Sequence, residues 1–261
     1  MDAYKCLNQY YSEYDEDGRL LSRHGQVEYL TTMRYIHKYL KPGMGVLEIG
    51  AGTGRYSHAL AREGYPVDAV ELIQHNIDVF ESRTEPGEEI SIRQGNATNL
   101  SFIGDETYDM TLLLGPMYHL FSEENKIQAL SEAIRVTKRG GIVCAAYCMS
   151  DGTIYSYGFK QGQIFEPARR GLLDDQFNTV SHPEDLFELH RKEDIDALMK
   201  DFDVERLHYV ATDLMTNHMR ETVDGMDDGM YEMYLKYHFA VCERRDMVGI
   251  THHSLDLFRK K

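Results

Sequence analysis

Short apolar segments alternate with helix-like segments through the middle of this 261-residue chain. Apolar runs typical of strands occupy residues 46–49, 67–72, 90–93, 108–114 and 142–148, and helical spacing fills the intervals. Most of these runs lack polar alternation, which indicates strands buried on both faces. Such strands, connected by helices, predict a parallel sheet covered on both sides. Right-handed crossovers then make this a doubly wound α/β fold.

Two helices are predicted before the first strand. Apolar residues recur at spacings of three and four within residues 4–14 and again within residues 27–40, and the acidic residues 15–17 lie between the two patterns. A Lys-Pro-Gly sequence at 41–43 ends the second pattern. We therefore divide the chain into an N-terminal helical lid, residues 1–40, and an α/β domain, residues 41–261.

The later part of the chain continues the pattern with interruptions. Ser122 opens a helix that we predict to end at Gly140 and Gly141. Residues 149–182 contain many Gly, Tyr and Phe without a clear period, which indicates an insertion. The pattern closes with a helix, a strand, a Met-rich helical stretch and a last strand, at residues 194–200, 204–210, 212–245 and 250–258. The prediction is a mostly parallel seven-stranded sheet whose last two strands form an antiparallel pair.

Composition and charge exclude several classes of protein. The chain has 28 basic and 43 acidic residues, a net charge of −15, which disfavours binding to nucleic acid or anionic membrane. The longest apolar run, residues 142–149, is far shorter than the roughly 18 residues of a membrane span. The N-terminus lacks the apolar core of a signal peptide. Four cysteines make no disulfide framework in a chain of this length. We predict a soluble, reduced, cytoplasmic protein.

A glycine-rich turn follows the first predicted strand. The sequence G-A-G-T-G at residues 50–54 permits a sharp turn and a close approach to a ligand, and the helix beyond it offers free backbone N–H groups. The next strand ends near Glu71, where an acid is placed to accept both hydroxyls of an adenosine ribose. The plain structural alternatives are a tight turn without a ligand and a solvated acid at a strand end.

The spacing within the turn discriminates between two cofactors. A dinucleotide requires G-x-G-x-x-G/A, but here the spacing is G-x-G-x-G and Arg55 replaces the last glycine of that pattern. Glu48, two residues before Gly50, is a poor neighbour for a pyrophosphate. It suits a ligand that carries an ammonium or sulfonium group. The turn therefore favours S-adenosylmethionine over NAD.

Several motifs in order resemble the class I S-adenosylmethionine-dependent methyltransferases. Residues 48–54 resemble their first motif, and residues 67–72 resemble the second, whose acid holds the ribose. Residues 95–97 resemble the adenine loop, although Asn96 stands where the family more often has Asp. Residues 134–141 are similar to the helix and glycine turn before strand five. The resemblance covers roughly residues 40–148 and implies S-adenosylmethionine as cofactor, with contacts from Glu48, Gly50, Ala51, Gly52, Gly54, Tyr56, Glu71, Leu72, Asn96, Ala97, Leu114, Gly115 and His119.

Other residues are candidates for contact with the methyl acceptor. The loop after strand four carries Tyr118 and His119 at the edge where ligands bind in such folds. His119 is a candidate general base because its ordinary pKa is near 6.5, and the alternative is that it only fixes the loop. Tyr11 and Tyr14 are candidates for a lid that excludes water, against the alternative of simple helix packing. The insertions at 149–182 and 212–245 are predicted to cover the substrate.

These features predict an enzyme that transfers a methyl group to an O, N or S atom of a small molecule, as a monomer or homodimer, with S-adenosylhomocysteine as product. Three alternatives stay open: a non-catalytic S-adenosylmethionine-binding protein, a methyltransferase acting on a protein or RNA, and a nucleotide-dependent oxidoreductase. No metal site is predicted. Residues 13–18 begin like a calcium loop, but His24 occupies the twelfth position, and His252 and His253 point to opposite faces of a strand.

Overall fold

A computed structural model of the chain describes residues 3–13, 18 and 20–261. In this part of the chain eight strands form one sheet in the order β3-β2-β1-β4-β5-β8-β7, and β6 pairs with β5 outside that path. The strands are β1 (Val46–Ile49), β2 (Val67–Glu71), β3 (Ile90–Gln94), β4 (Tyr108–Leu113), β5 (Thr137–Met149), β6 (Leu189–His190), β7 (Val204–Ala211) and β8 (His253–Lys260).

The direction of the strands matches the predicted doubly wound fold. β1 to β6 run parallel to one another, whereas β8 is antiparallel to both β5 and β7. The mostly parallel sheet and its antiparallel closing pair are therefore confirmed. β6 is an additional strand of two residues, too short to produce an apolar pattern in the sequence.

Helices cover both faces of the sheet. They are α1 (Ala3–Glu13), α2 (Arg23–Tyr39), α3 (Arg55–Arg62), α4 (Gln74–Ser82), α5 (Glu123–Val136), α6 (Ser150–Thr153), α7 (Phe165–Arg169), α8 (Lys192–Met199), α9 (Arg220–Asp224) and α10 (Asp228–Val241). None of these helices of the described residues has the length and apolar character needed to cross a bilayer.

Adjacent residues of the central strands pack into two separate cores. On one sheet face Val46 and Cys144 pack with residues of α2, α3 and α10. On the other face Leu47 and Ala145 pack with residues of α5 and α8. Because neighbouring side chains of a strand point to opposite faces, strands that are apolar throughout are what this two-sided burial requires.

The end of α5 differs from the prediction. The helix ends at Val136, and the pair Gly140 and Gly141 lies inside β5 instead of terminating the helix. Thr137 has extended backbone angles (φ −82°, ψ 136°), and its hydroxyl bonds to the Ala133 carbonyl and to the Thr111 hydroxyl. This β-branched residue therefore starts the strand early, where its side chain is buried and hydrogen-bonded.

The predicted N-terminal lid divides into two parts in the structure. α2 is a core helix, since its Met33 and Ile36 are buried against the sheet. α1 lies outside that core and contacts α4 and the turn Pro183–Asp185. Tyr14 and the acidic residues at 15–17 lie outside the described residues. A covering role therefore stays a prediction for α1, and α2 serves the main core.

The two predicted insertions contain short helices. The first holds α6, which continues as a π-helical segment (Ile154–Lys160), followed by α7. The Met-rich stretch at 212–245 divides into α9 and α10. Each insertion contributes residues to a cavity described below, so both lie at the ligand-binding edge of the sheet.

Candidate functional site

The glycine turn joins β1 to α3, and its glycines have different structural roles. Gly52 (φ 55°) and Gly54 (φ 87°) both adopt the left-handed backbone conformation that favours glycine. A Cβ on Gly54 would lie 2.4 Å from the Phe80 ring and 2.7 Å from His58, whereas a Cβ on Gly52 would meet no atom within 4 Å. Gly54 is therefore required by packing. Gly52 leaves open space beside the turn.

Glu71 ties this turn to the next helix. Its Oε2 accepts a hydrogen bond from the Gly52 N–H at 2.8 Å, and its Oε1 accepts from the Ile73 N–H at 2.9 Å and the Asn76 amide at 3.3 Å. The side chain is only 6% exposed. Burial raises the pKa of Glu71, and these hydrogen bonds oppose the rise. The carboxylate thus holds the turn in shape and lines the adjacent cavity.

Glu48 is a second buried acid beside the turn. Burial raises its pKa to about 8, with a further contribution from Glu71, while a hydrogen bond from Ser57 opposes the shift. Near neutral pH this carboxyl group therefore holds a proton. A positively charged ligand nearby would favour the ionised form of Glu48. The ionised carboxylate would in turn attract a sulfonium or ammonium group.

A cavity of about 590 Å³ opens beside the glycine turn. Most predicted cofactor-binding residues line it: Glu48, Gly50, Ala51, Gly52, Tyr56, Glu71, Leu72, Asn96, Ala97, Leu114, Gly115 and His119. Gly54 does not line the cavity. This glycine precedes α3 and faces the ring of Phe80. The cavity is also lined by four residues that were not predicted as cofactor contacts but lie next to the predicted motifs: Thr53, Arg55, Ile73 and Asn76. Its volume is within the usual range for a small-molecule site.

A second cavity of about 790 Å³ adjoins the first. Its walls come from both predicted insertions and from the N-terminal helices. Four residues line both cavities: Tyr11, Glu28, Tyr118 and His253. Tyr11, a predicted lid residue, and Tyr118, a predicted acceptor contact, are therefore placed at the junction between the cavities.

His119 is held on both sides of its ring. Its Nδ1 lies 2.8 Å from the Leu186 carbonyl, and its Nε2 lies 2.8 Å from the Tyr11 hydroxyl. Burial lowers the pKa of His119 to about 4, so the ring is neutral at physiological pH. Since a carbonyl only accepts, Nδ1 donates to Leu186 and Nε2 accepts from Tyr11. His119 therefore orients the Tyr11 phenol, and this geometry favours its positioning role over that of a free base.

A group of charged residues at the junction was missed by the sequence analysis. His253 Nδ1 lies 2.8 Å from Asp213 Oδ2 and 3.2 Å from Glu28 Oε2. Although burial opposes it, the hydrogen bond from His253 holds the pKa of Asp213 below its ordinary value. Asp213 is 1% exposed. These residues are far apart in sequence, so no local motif signals their contact.

A family model described as a methyltransferase domain matches residues 46–141 of the chain. The demethylmenaquinone methyltransferase of Lysinibacillus sphaericus is 30% identical over 128 residues, 48% of this chain and 52% of that protein. The ubiquinone biosynthesis O-methyltransferase of Methylocella silvestris is 30% identical over 142 residues, 54% of this chain and 52% of that protein. The chain thus matches about half the length of these curated relatives.

Solved structures share the whole fold at low sequence identity. A possible histamine N-methyltransferase from Thermotoga maritima is 17% identical with a TM-score of 0.60, and all of each chain is covered. Phosphoethanolamine N-methyltransferase 1 of Haemonchus contortus, in complex with phosphoethanolamine and S-adenosylhomocysteine, is 17% identical with a TM-score of 0.61, covering 99% of this chain and 48% of that one. At such identities the likeness shows the fold alone.

Proposed function

We propose that the chain is a class I S-adenosylmethionine-dependent methyltransferase, which transfers a methyl group to an O, N or S atom of a small molecule. The observation that carries this proposal is the pair of adjoining cavities. One cavity lies against the glycine turn with Glu48 and Glu71, and the other is lined mostly by segments outside the matched residues 46–141. A cofactor in the first and an acceptor in the second would meet at the junction.

The residues of the first cavity fit S-adenosylmethionine. Gly52 leaves space beside the turn, and the fixed Glu71 carboxylate is available for the ribose hydroxyls. Asn96 and Ala97 would lie beside the adenine, and Glu48 beside the positively charged part. The bound cofactor supplies a methyl group already activated on a sulfonium. The protein therefore has mainly to align the acceptor and exclude water.

Aromatic side chains at the junction of the two cavities exclude water from the site. The rings of Tyr118 and Tyr11 both pack edge-on against His119, at centroid distances of 4.8 and 5.8 Å. His119 fixes the Tyr11 phenol through Nε2, and the Leu186 carbonyl fixes the other side of the imidazole. This chain of contacts holds α1 against the loop after β4. We infer that α1 closes over the cavities in this way.

A small acceptor is favoured over a macromolecule by the shape and charge of the site. The second cavity, about 790 Å³, is of the size that encloses a small molecule. The net charge of −15 disfavours an RNA backbone. The names of the curated relatives, which refer to menaquinone and ubiquinone biosynthesis, support small acceptors as a class.

The proposal is tested with methyl-labelled S-adenosylmethionine and a cell extract divided into a low-mass fraction and a macromolecular fraction. We expect S-adenosylhomocysteine to form and the label to enter a small molecule, which mass spectrometry would identify. Gly52→Ala is the matched control, because it alters the first cavity only. Cofactor binding without product from extract fractions would favour a non-catalytic binding protein. Label recovered in protein or RNA would contradict the proposed substrate class.

A further inference from the structure

Three potential metal ligands from separate elements meet where the two cavities join. Glu28 belongs to α2, Asp213 follows β7, and His253 begins β8. One ligand atom from each residue lies within 4.8 Å of the other two. In two of the three pairs, His253 Nδ1 is separated from Asp213 Oδ2 by 2.8 Å and from Glu28 Oε2 by 3.2 Å.

These separations match the edges of a metal coordination shell. Zinc binds His nitrogen and carboxylate oxygen at about 2.0–2.2 Å, which places neighbouring ligand atoms roughly 3 Å apart. Two carboxylates and one imidazole also provide the charge and the mixed donors that suit first-row divalent metals. We propose that Glu28, Asp213 and His253 form a binding site for a divalent transition-metal ion such as Zn²⁺ or Mn²⁺. The ion replaces the proton that His253 Nδ1 shares with Asp213, and this proton is released to solvent.

The surrounding structure fixes Asp213 independently of any ion. Its Oδ1 accepts hydrogen bonds from the Thr251 hydroxyl and from the His252 N–H at 2.8 Å. Its Oδ2 accepts from the Asn217 amide at 2.5 Å, in addition to the contact with His253. Outer partners of this kind orient metal ligands and contribute to affinity. The carboxylate is therefore already held in one orientation.

The position of the site places the ion where it can bind the methyl acceptor. Glu28 and His253 line both cavities, and the His253 side chain is 25% exposed, so the open side of the site faces the junction. An ion held there by three protein ligands retains positions for an oxygen or nitrogen atom of the acceptor. This role rests on the proposed function, whereas metal binding itself does not.

The experiment uses the untagged full chain, freed of metal with a chelator. Co²⁺ is titrated with absorption spectroscopy as the readout, and Zn²⁺ with calorimetry, both without cofactor. We expect one ion per chain. His253→Gln and Glu28→Gln should weaken binding by more than about 100-fold, and Asn217→Ala by about 10- to 100-fold, since outer partners contribute on that scale.

The matched control is His37→Gln. His37 pairs with Glu63 at 2.6 Å on the surface, so it tests whether any His–carboxylate pair binds the ion, and its affinity should equal that of the unmodified chain. Thermal unfolding, measured separately, shows that each variant is folded. Absence of saturable Co²⁺ and Zn²⁺ binding, or equal affinity in His253→Gln, would overturn the metal site and leave a His–carboxylate ion pair. Failure of the unmodified chain to bind S-adenosylhomocysteine would instead contradict the proposed function.

Discussion

Replacing Gly52 and Gly54 separately by alanine should separate cofactor binding from folding. Both residues have positive φ, so each substitution carries about 1–2 kcal/mol of backbone strain. At Gly54 the new methyl group would also lie 2.4 Å and 2.7 Å from the rings of Phe80 and His58. Overpacking of this kind adds about 1–3 kcal/mol, for a total near 2–5 kcal/mol. At Gly52 the methyl group meets no protein atom within 4 Å.

The assay combines thermal unfolding with calorimetry using S-adenosylhomocysteine. Gly52→Ala should lower the melting temperature by roughly 2–8 °C, because each kcal/mol corresponds to roughly 2–4 °C in a protein of this size. Its affinity should fall by more than about tenfold, or 1.4 kcal/mol, since the methyl group enters the proposed ligand space. Equal destabilisation by the two variants, or unchanged affinity in Gly52→Ala, would refute the assignment of Gly52 to the binding site.

Three further predictions concern other parts of the site. Glu71→Ala should weaken S-adenosylmethionine binding by roughly 1.5–3 kcal/mol through loss of a charge-assisted contact, and unchanged calorimetric affinity in a folded variant would make Glu71 only structural. The free energy of unfolding should fall as pH rises from about 4.5 to about 8, because the folded chain retains the Glu48 proton that the unfolded chain releases. Denaturant titrations should show that Glu48→Gln removes this contribution, and an identical pH profile would contradict the buried protonated carboxyl. Amide exchange in α1 should slow when S-adenosylhomocysteine binds, whereas full protection without ligand would make α1 a core element.

Most of the fold could be predicted because its signals are local. A strand buried on both faces, such as β1, is mostly apolar at consecutive positions, and a turn such as residues 50–54 favours glycine at the three positions where its φ is positive. The predicted end of α5 was wrong because a glycine pair occurs in two different structural contexts. It can terminate a helix or lie inside a strand, and the buried contacts of Thr137 decide between them.

Only the part of the candidate site that is formed by residues close together in sequence could be predicted. The residues around the glycine turn and Glu71 follow one another in motif order, and most of them line the first cavity. The contact of His253 with Glu28 and Asp213 depends on how α2, β7 and β8 assemble, which no local spacing encodes. His252 and His253 were predicted to point to opposite faces of a strand, but β8 begins at His253 and both residues line the second cavity. The remote partners of His253 were not visible in the sequence.

Calorimetric titration of the purified chain with S-adenosylmethionine, in parallel with NAD⁺ and NADH, tests the central claim most directly. The account predicts saturable binding of one S-adenosylmethionine per chain, weakened in Gly52→Ala, and no measurable binding of either dinucleotide. Binding of NAD⁺ or NADH in preference to S-adenosylmethionine, or binding of S-adenosylmethionine that Gly52→Ala leaves unchanged, would contradict it.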